Sequence, residues 1–130
     1  MTAIIAPQTI TLTIPGALST SSLVSMAMPF KGVITGAYLA VSTAPLGSAL
    51  TADLKVDSDI AATFSIAAAG YSDEATLSAT AANRAFAKGE LVHLDVSAVG
   101  SGTAGSNATV AFTVSEVSDA TRILSAHVND

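Results

Sequence analysis

His93 and Asp95 stand two residues apart in a stretch that alternates apolar and polar residues, Leu91-Val-His-Leu-Asp-Val-Ser-Ala98. On an extended strand that spacing puts both side chains on one face. A carboxylate beside an imidazole can orient a general base. Catalysis needs a complete geometric set, and no Ser or Cys here sits in a recognisable nucleophile motif. Two polar residues on an outward strand face account for the pair, so no catalytic residue is assigned and the chain is not read as an enzyme.

Asp53, Asp57 and Asp59 form a second cluster. Carboxylate oxygens suit calcium, but calcium takes roughly six to eight oxygen ligands, and its loops carry a central glycine that this stretch lacks. A solvated turn is the simpler reading, and no metal ligand or cofactor is assigned. Asn107-Ala108-Thr109 matches the glycosylation sequon. The N-terminus has no basic region, and Pro7 and Gln8 break its apolar run, which argues against a secretion signal and makes the sequon a chance match. Gly100-Ser-Gly-Thr-Ala-Gly105 looks like a phosphate loop but lacks the lysine, and it joins two alternating segments rather than a strand to a helix. Sugar sites favour exposed aromatic platforms. There is no Trp, and only Tyr38 and Tyr71 are candidates. Tyr71 falls in a loop and reads better as a rim or subunit contact with its hydroxyl in water.

The composition narrows the classes further. The 130 residues carry five Lys and Arg against ten Asp and Glu, a net charge of −5. Five scattered basic residues cannot grip a phosphate backbone, which argues against nucleic acid as a partner. No Cys is present, which removes disulfides and thiolate metal sites. No stretch approaches the roughly 20 apolar residues of a membrane helix, so no membrane is expected as a partner. Half of the residues are hydrophobic and only 12% are charged. Average proteins are about 25% charged, and surfaces so poor in charge tend to associate. An oligomer or a lattice protein is expected.

The elements that must position these residues are strands. Thr9-Ile-Thr-Leu-Thr-Ile14 alternates strictly, with Ile10, Leu12 and Ile14 on one face, and Pro15-Gly16 reads as the turn that ends it. Leu23–Met28 is a second strand. Val33–Ser42 is a third, with apolar residues at both parities, so both of its faces are expected to be partly buried. Residues 50–57 point Leu50, Ala52, Leu54 and Val56 inward. Asp57-Ser58-Asp59 supplies turn chemistry, and 60–67 returns with Phe64 and Ile66 inward. Residues 68–74 read as a loop or short helical turn, and 75–86 as an irregular strand and a loop. Residues 91–98 and 109–115 read as a hairpin joined by the flexible loop Gly100–Ser106. Residues 121–128 are expected to form a last strand, with Ile123 inward. About eight strands in one domain predict an all-β antiparallel β-sandwich, jelly-roll-like.

Two stretches carry a family resemblance. Ile34-Thr-Gly-Ala-Tyr-Leu-Ala-Val-Ser-Thr-Ala-Pro-Leu-Gly-Ser-Ala-Leu-Thr-Ala-Asp-Leu-Lys-Val-Asp57 resembles the strand, Ala-Pro-x-Gly loop and strand of tailed-phage virion β-sandwich proteins. Phe86-Ala-Lys-Gly-Glu-Leu-Val-His-Leu-Asp-Val-Ser-Ala-Val-Gly100 and Ala104–Val110 resemble the Lys-Gly-Asp strand and the segment that follows it there. The chain departs from that pattern at Asp57-Ser58-Asp59, where Asn-Gly is usual, and at Ala104, where Pro is common. Among such proteins the chain is most similar to capsid decoration (cement) proteins.

The resemblance implies a virion structural protein on the outer surface of the capsid, with the major capsid protein and further copies of itself, as a homotrimer, for partners. Residues 1–8 are expected to form an arm that adds a strand to a neighbour's sheet, ahead of a sandwich domain over 9–130. The expected contacts are Ile4, Ile5 and Pro7 on the arm, and Tyr38 and Tyr71 on the domain. The alternative is a carbohydrate- or receptor-binding module of a tail or head fibre.

Overall fold

The computed structural model describes residues 7–117. Ile4, Ile5 and the strand expected at 121–128 lie outside them. Among the described residues there are ten strands: β1 (Gln8–Ala17), β2 (Leu23–Ala27), β3 (Gly32–Ala40), β4 (Leu50–Val56), β5 (Asp59–Ile66), β6 (Ser72–Glu74), β7 (Thr76–Leu77), β8 (Ala85–Phe86), β9 (Leu91–Ala98) and β10 (Ser106–Glu116). A 3-10 turn, Ala81–Asn83, precedes β8. One sheet has the order β1-β10-β3-β6, with β8 also on β3, and the other runs β2-β9-β4-β5-β7. Every pairing is antiparallel.

Set aside the two-residue strands and the pairs are β1 with β10, β2 with β9, β3 with β6 and β4 with β5. The chain is thus one long hairpin, tipped at the β4–β5 turn and rolled into two sheets, which is a jelly roll. Asp57 sits at that tip with φ 52°, a left-handed conformation that Asp tolerates better than most residues.

The alternating faces meet between the sheets. Leu12, Ile14, Leu39, Leu50, Leu54, Phe64, Ile66, Val92, Leu94, Val110, Phe112 and Val114 are buried there, and no polar or charged side chain is buried among the described residues. The inward sets read for β4 and for Phe64 and Ile66 hold.

Four local readings need correction. Pro15-Gly16 does not end β1. The strand continues to Ala17 through a register shift after Ile14, where Gly16 takes φ 81°. β3 does not bury both faces. Its register against β10 skips Thr35, so the inward parity switches from Ile34 to Ala37 and Leu39 on the same face. A bulge makes one face look like two in the sequence. Residues 72–74, read as loop, form β6 against Tyr38–Ala40.

The fourth correction concerns the expected hairpin of 91–98 with 109–115, which does not exist. β9 pairs with β2 and β4 in one sheet, whereas β10 pairs with β1 and β3 in the other. The glycine-rich segment between them is a crossover. It is pinned to the 43–48 loop by Leu46 N–H to Thr103 O (2.9 Å), Gly102 N–H to Leu46 O (2.8 Å) and Ser101 N–H to Ser48 Oγ (2.9 Å). A methyl at Gly100 would collide first with the Thr103 carbonyl oxygen and stand 2.7 Å from the Leu46 amide nitrogen, so close backbone approach is what the glycine provides there.

Candidate functional site

His93 and Asp95 do share the outer face of β9, and their contacts assign them a role. Nδ1 of His93 lies 2.8 Å from Asp95 Oδ1, and Nε2 lies 2.6 Å from the Asp57 carbonyl oxygen. Lys55 Nζ reaches the other carboxylate oxygen of Asp95 at 3.2 Å. Both ring nitrogens are therefore engaged within the fold, and the imidazole ties the β4–β5 tip to β9. Burial pushes the Asp95 carboxyl up, but the hydrogen bonds from His93 and Lys55 together outweigh it and hold the carboxyl below its ordinary value.

Asp53 faces outward on β4, directly opposite Asp95 on β9 and Thr63 on β5. Asp57 is four residues further along, about 13 Å at strand rise, too far to share an ion with Asp53. Among the described residues no three His, Cys, Asp or Glu side chains come together as a metal site. An open groove of about 370 Å³ lies beside this face, lined by Ser21, Ser22, Leu23, Asp53, Asp95 and Ser97 among others, with no aromatic ring in its wall.

Asn107 has a structural task that the sequon hid. It takes φ 53°; its Oδ1 accepts from Gly16 N–H (2.7 Å) and its Nδ2 donates to Ser42 Oγ (2.8 Å). It thereby holds the irregular end of β1 to β10. Only a left-handed residue with both a donor and an acceptor can do this, and the short polar Asn was the one available signal.

The remaining candidates gather on the other sheet. Tyr38 is 58% exposed on the outer face of β3, and its hydroxyl donates to Glu74 Oε2 on β6 (3.1 Å). That hydrogen bond and the Glu74 charge push the Tyr38 phenol above its usual value. Tyr71 is 60% exposed and joins the same strand pair through its carbonyl, which accepts from Val41 N–H (2.9 Å). Pro7 is exposed immediately before β1. The strand register arranges the outer face into transverse rows: Thr13, Thr109, Ala40, Ser72; then Thr11, Ala111, Tyr38, Glu74; then Thr9, Thr113, Gly36. Glu74 is the one charged residue in these rows, and the Tyr38 hydroxyl occupies it. The sequence did not reveal this face, because its outward threonines and alanines lie on four strands joined only by the topology.

No protein-family model matches the chain. No curated protein matches it by sequence. Similarity appears in structure. A chain of the cyanophage Pam1 capsid asymmetric unit superposes with a TM-score of 0.54 at 12% identity, over 88% of this chain and 86% of that one. A chain of the Ralstonia phage GP4 capsid superposes with a TM-score of 0.57 at 14% identity, over 92% and 88%. CsCBM6-3 from Clostridium stercorarium, solved with cellobiose, reaches a TM-score of 0.42 at 14% identity, over 91% and 92%, too distant to bear on ligand binding. The chain is a jelly-roll β-sandwich of the fold found in these two phage capsid structures.

Proposed function

We propose that this protein is a virion structural protein without enzymatic activity: a capsid decoration protein that binds the outside of a phage head as a homotrimer and clamps neighbouring major capsid protein subunits. The observation that carries this reading is likeness in fold to chains of two phage capsids, at TM-scores of 0.54 and 0.57 and over most of each chain.

The surfaces are in keeping with it. The outer face of the β1-β10-β3-β6 sheet is broad and almost uncharged and carries Tyr38, while Tyr71 is exposed just ahead of β6. Tyrosines contribute large contact area at low entropic cost, which suits them to a docking face. The arm expected over residues 1–8 would shorten to 1–7, because Gln8 already pairs with Val114 in β1; Ile4 and Ile5 would be its anchors and Pro7 would stiffen its root. Several modest contacts per oligomer combine through avidity, so no single one has to be strong.

The sugar-binding alternative is less favoured, because the groove on the opposite sheet has no aromatic wall for a sugar ring to stack on.

The test is co-sedimentation with purified expanded capsids of the encoding phage. Saturable binding with a fixed number of copies per capsid is expected. Protein that stays in the supernatant while a glycan array captures it would replace this reading with the alternative.

A further inference from the structure

We propose that the free edge of β1 is a two-fold contact between copies of this chain, made by antiparallel pairing of Gln8–Ile14 with the same segment of a second copy, centred on Thr11.

Each sheet has two edges, and they are not equivalent. On one side the sheets end in the short strands β6 (three residues) and β7 (two residues). On the other side the first sheet ends in β1, ten residues long and paired among the described residues only with β10. A long edge strand is a template for another strand, and proteins that must stay apart blunt it with charge, proline or a covering loop. The run Gln8-Thr-Ile-Thr-Leu-Thr-Ile14 has no charged residue and no proline. Thr9, Thr11 and Thr13 are exposed along it.

The pattern of β1 names the partner. Pro7 and Pro15 bracket the run at equal distance from Thr11. A two-fold axis at Thr11 sets residue 8 opposite 14, 9 opposite 13, 10 opposite 12, and Thr11 opposite itself. Each proline then falls opposite the other, outside the paired segment. A shift from that register either brings a proline, which cannot donate, opposite the partner's segment or shortens the paired run.

In the centred register the outer face pairs Thr with Thr, a favourable cross-strand combination. The fold already uses that pairing one strand further in, where Thr13 Oγ1 and Thr109 Oγ1 stand 3.4 Å apart. The inner face pairs Ile10 with Leu12, and Ile10 is only half-buried in the single chain. β1 carries none of the net charge of −5, so no like charges meet at the contact itself. Two sheets would merge into one, β6-β3-β10-β1 followed by its symmetry mate.

This contact does not depend on the capsid reading. Combined with the proposed homotrimer, it joins two trimers into a hexamer in free solution.

The test is the solution mass, by light scattering, of the wild type, Thr11→Lys, Thr11→Glu and their equimolar mixture, with circular dichroism to confirm folding. The wild type is expected at an even multiple of the chain mass. Each single variant should fall to half that mass, because like charges meet on the axis, and the mixture should recover it. Thr11→Cys supplies a second readout, since the chain has no other cysteine. Facing residues on paired strands lie about 4.5–5.5 Å apart between Cα atoms, within disulfide reach. Oxidation should give a covalent dimer, whereas Thr63→Cys, on the outer face of β5, should stay monomeric. A wild type of odd multiplicity, folded charge variants that keep the wild-type mass, or Thr11→Cys that cross-links no faster than Thr63→Cys would each overturn the proposal. Should neither charge variant fold, the cysteine pair decides.

Discussion

Asp95 is common to both ion pairs among the described residues, held between His93 at 2.8 Å and Lys55 at 3.2 Å. Its carboxyl titrates below the ordinary value when folded and at that value when unfolded. The unfolded chain therefore binds the proton first as pH falls, so the stabilisation is full above about pH 4 and is lost as pH drops through the folded value. Asp95→Asn should flatten the acid limb of stability, read as urea midpoints between pH 3 and 7; an unchanged acid limb would contradict this. At Gly100 the prediction is steric. A methyl there overlaps the Thr103 carbonyl and meets the backbone of Leu46, so Gly100→Ala should cost about 3 kcal/mol, the upper end of overpacking, read from thermal or denaturant midpoints. At this scale the sequence was informative about facing and silent about partners. Alternation placed His93 and Asp95 on one face. It could not show that the second ring nitrogen is taken by the Asp57 carbonyl, because that contact depends on how the β4–β5 tip folds over β9.

At the scale of elements, facing was read correctly where alternation is strict: β1, β4 and β9 each bury one parity. The misreadings cluster where a bulge resets parity. β3 carried apolar residues at both parities because its register skips Thr35, and β1 passes through Pro15-Gly16 because Asn107 satisfies the Gly16 amide. The expected β9–β10 hairpin failed for another reason. Two alternating runs with a glycine-rich link look the same whether they pair with each other or cross between sheets. The pairing partners decide between the two, β2 and β4 for β9 and β1 and β3 for β10, and these partners lie far away in sequence. Asn107 gives an element-level prediction. Asn107→Ala should cost about 1–2 kcal/mol, from two lost hydrogen bonds and a left-handed backbone. Asn107→Gly should cost less, because it relieves the backbone term, and equal losses in the two variants would show that the backbone conformation contributes nothing.

For the whole molecule, the jelly roll was legible as a class, from turn spacing and the absence of helical periodicity. The near-uncharged outer face of the β1-β10-β3-β6 sheet was not, since strands far apart in sequence build it. That face yields a prediction for capsid attachment. Tyr38→Ala combined with Tyr71→Ala should lower capsid occupancy at limiting protein without lowering the unfolding temperature, since both side chains are mostly exposed. Removal of residues 1–7 should also lower occupancy with the sandwich intact, and unchanged occupancy would exclude the arm as an anchor.

The most direct test of the clamp is the temperature at which purified capsids open, measured with and without saturating protein. If the protein bridges capsid subunits, opening should shift upward, with the increase tracking occupancy. Full occupancy with an unchanged opening temperature would mean that the protein decorates the head without stabilising it, and would contradict the account.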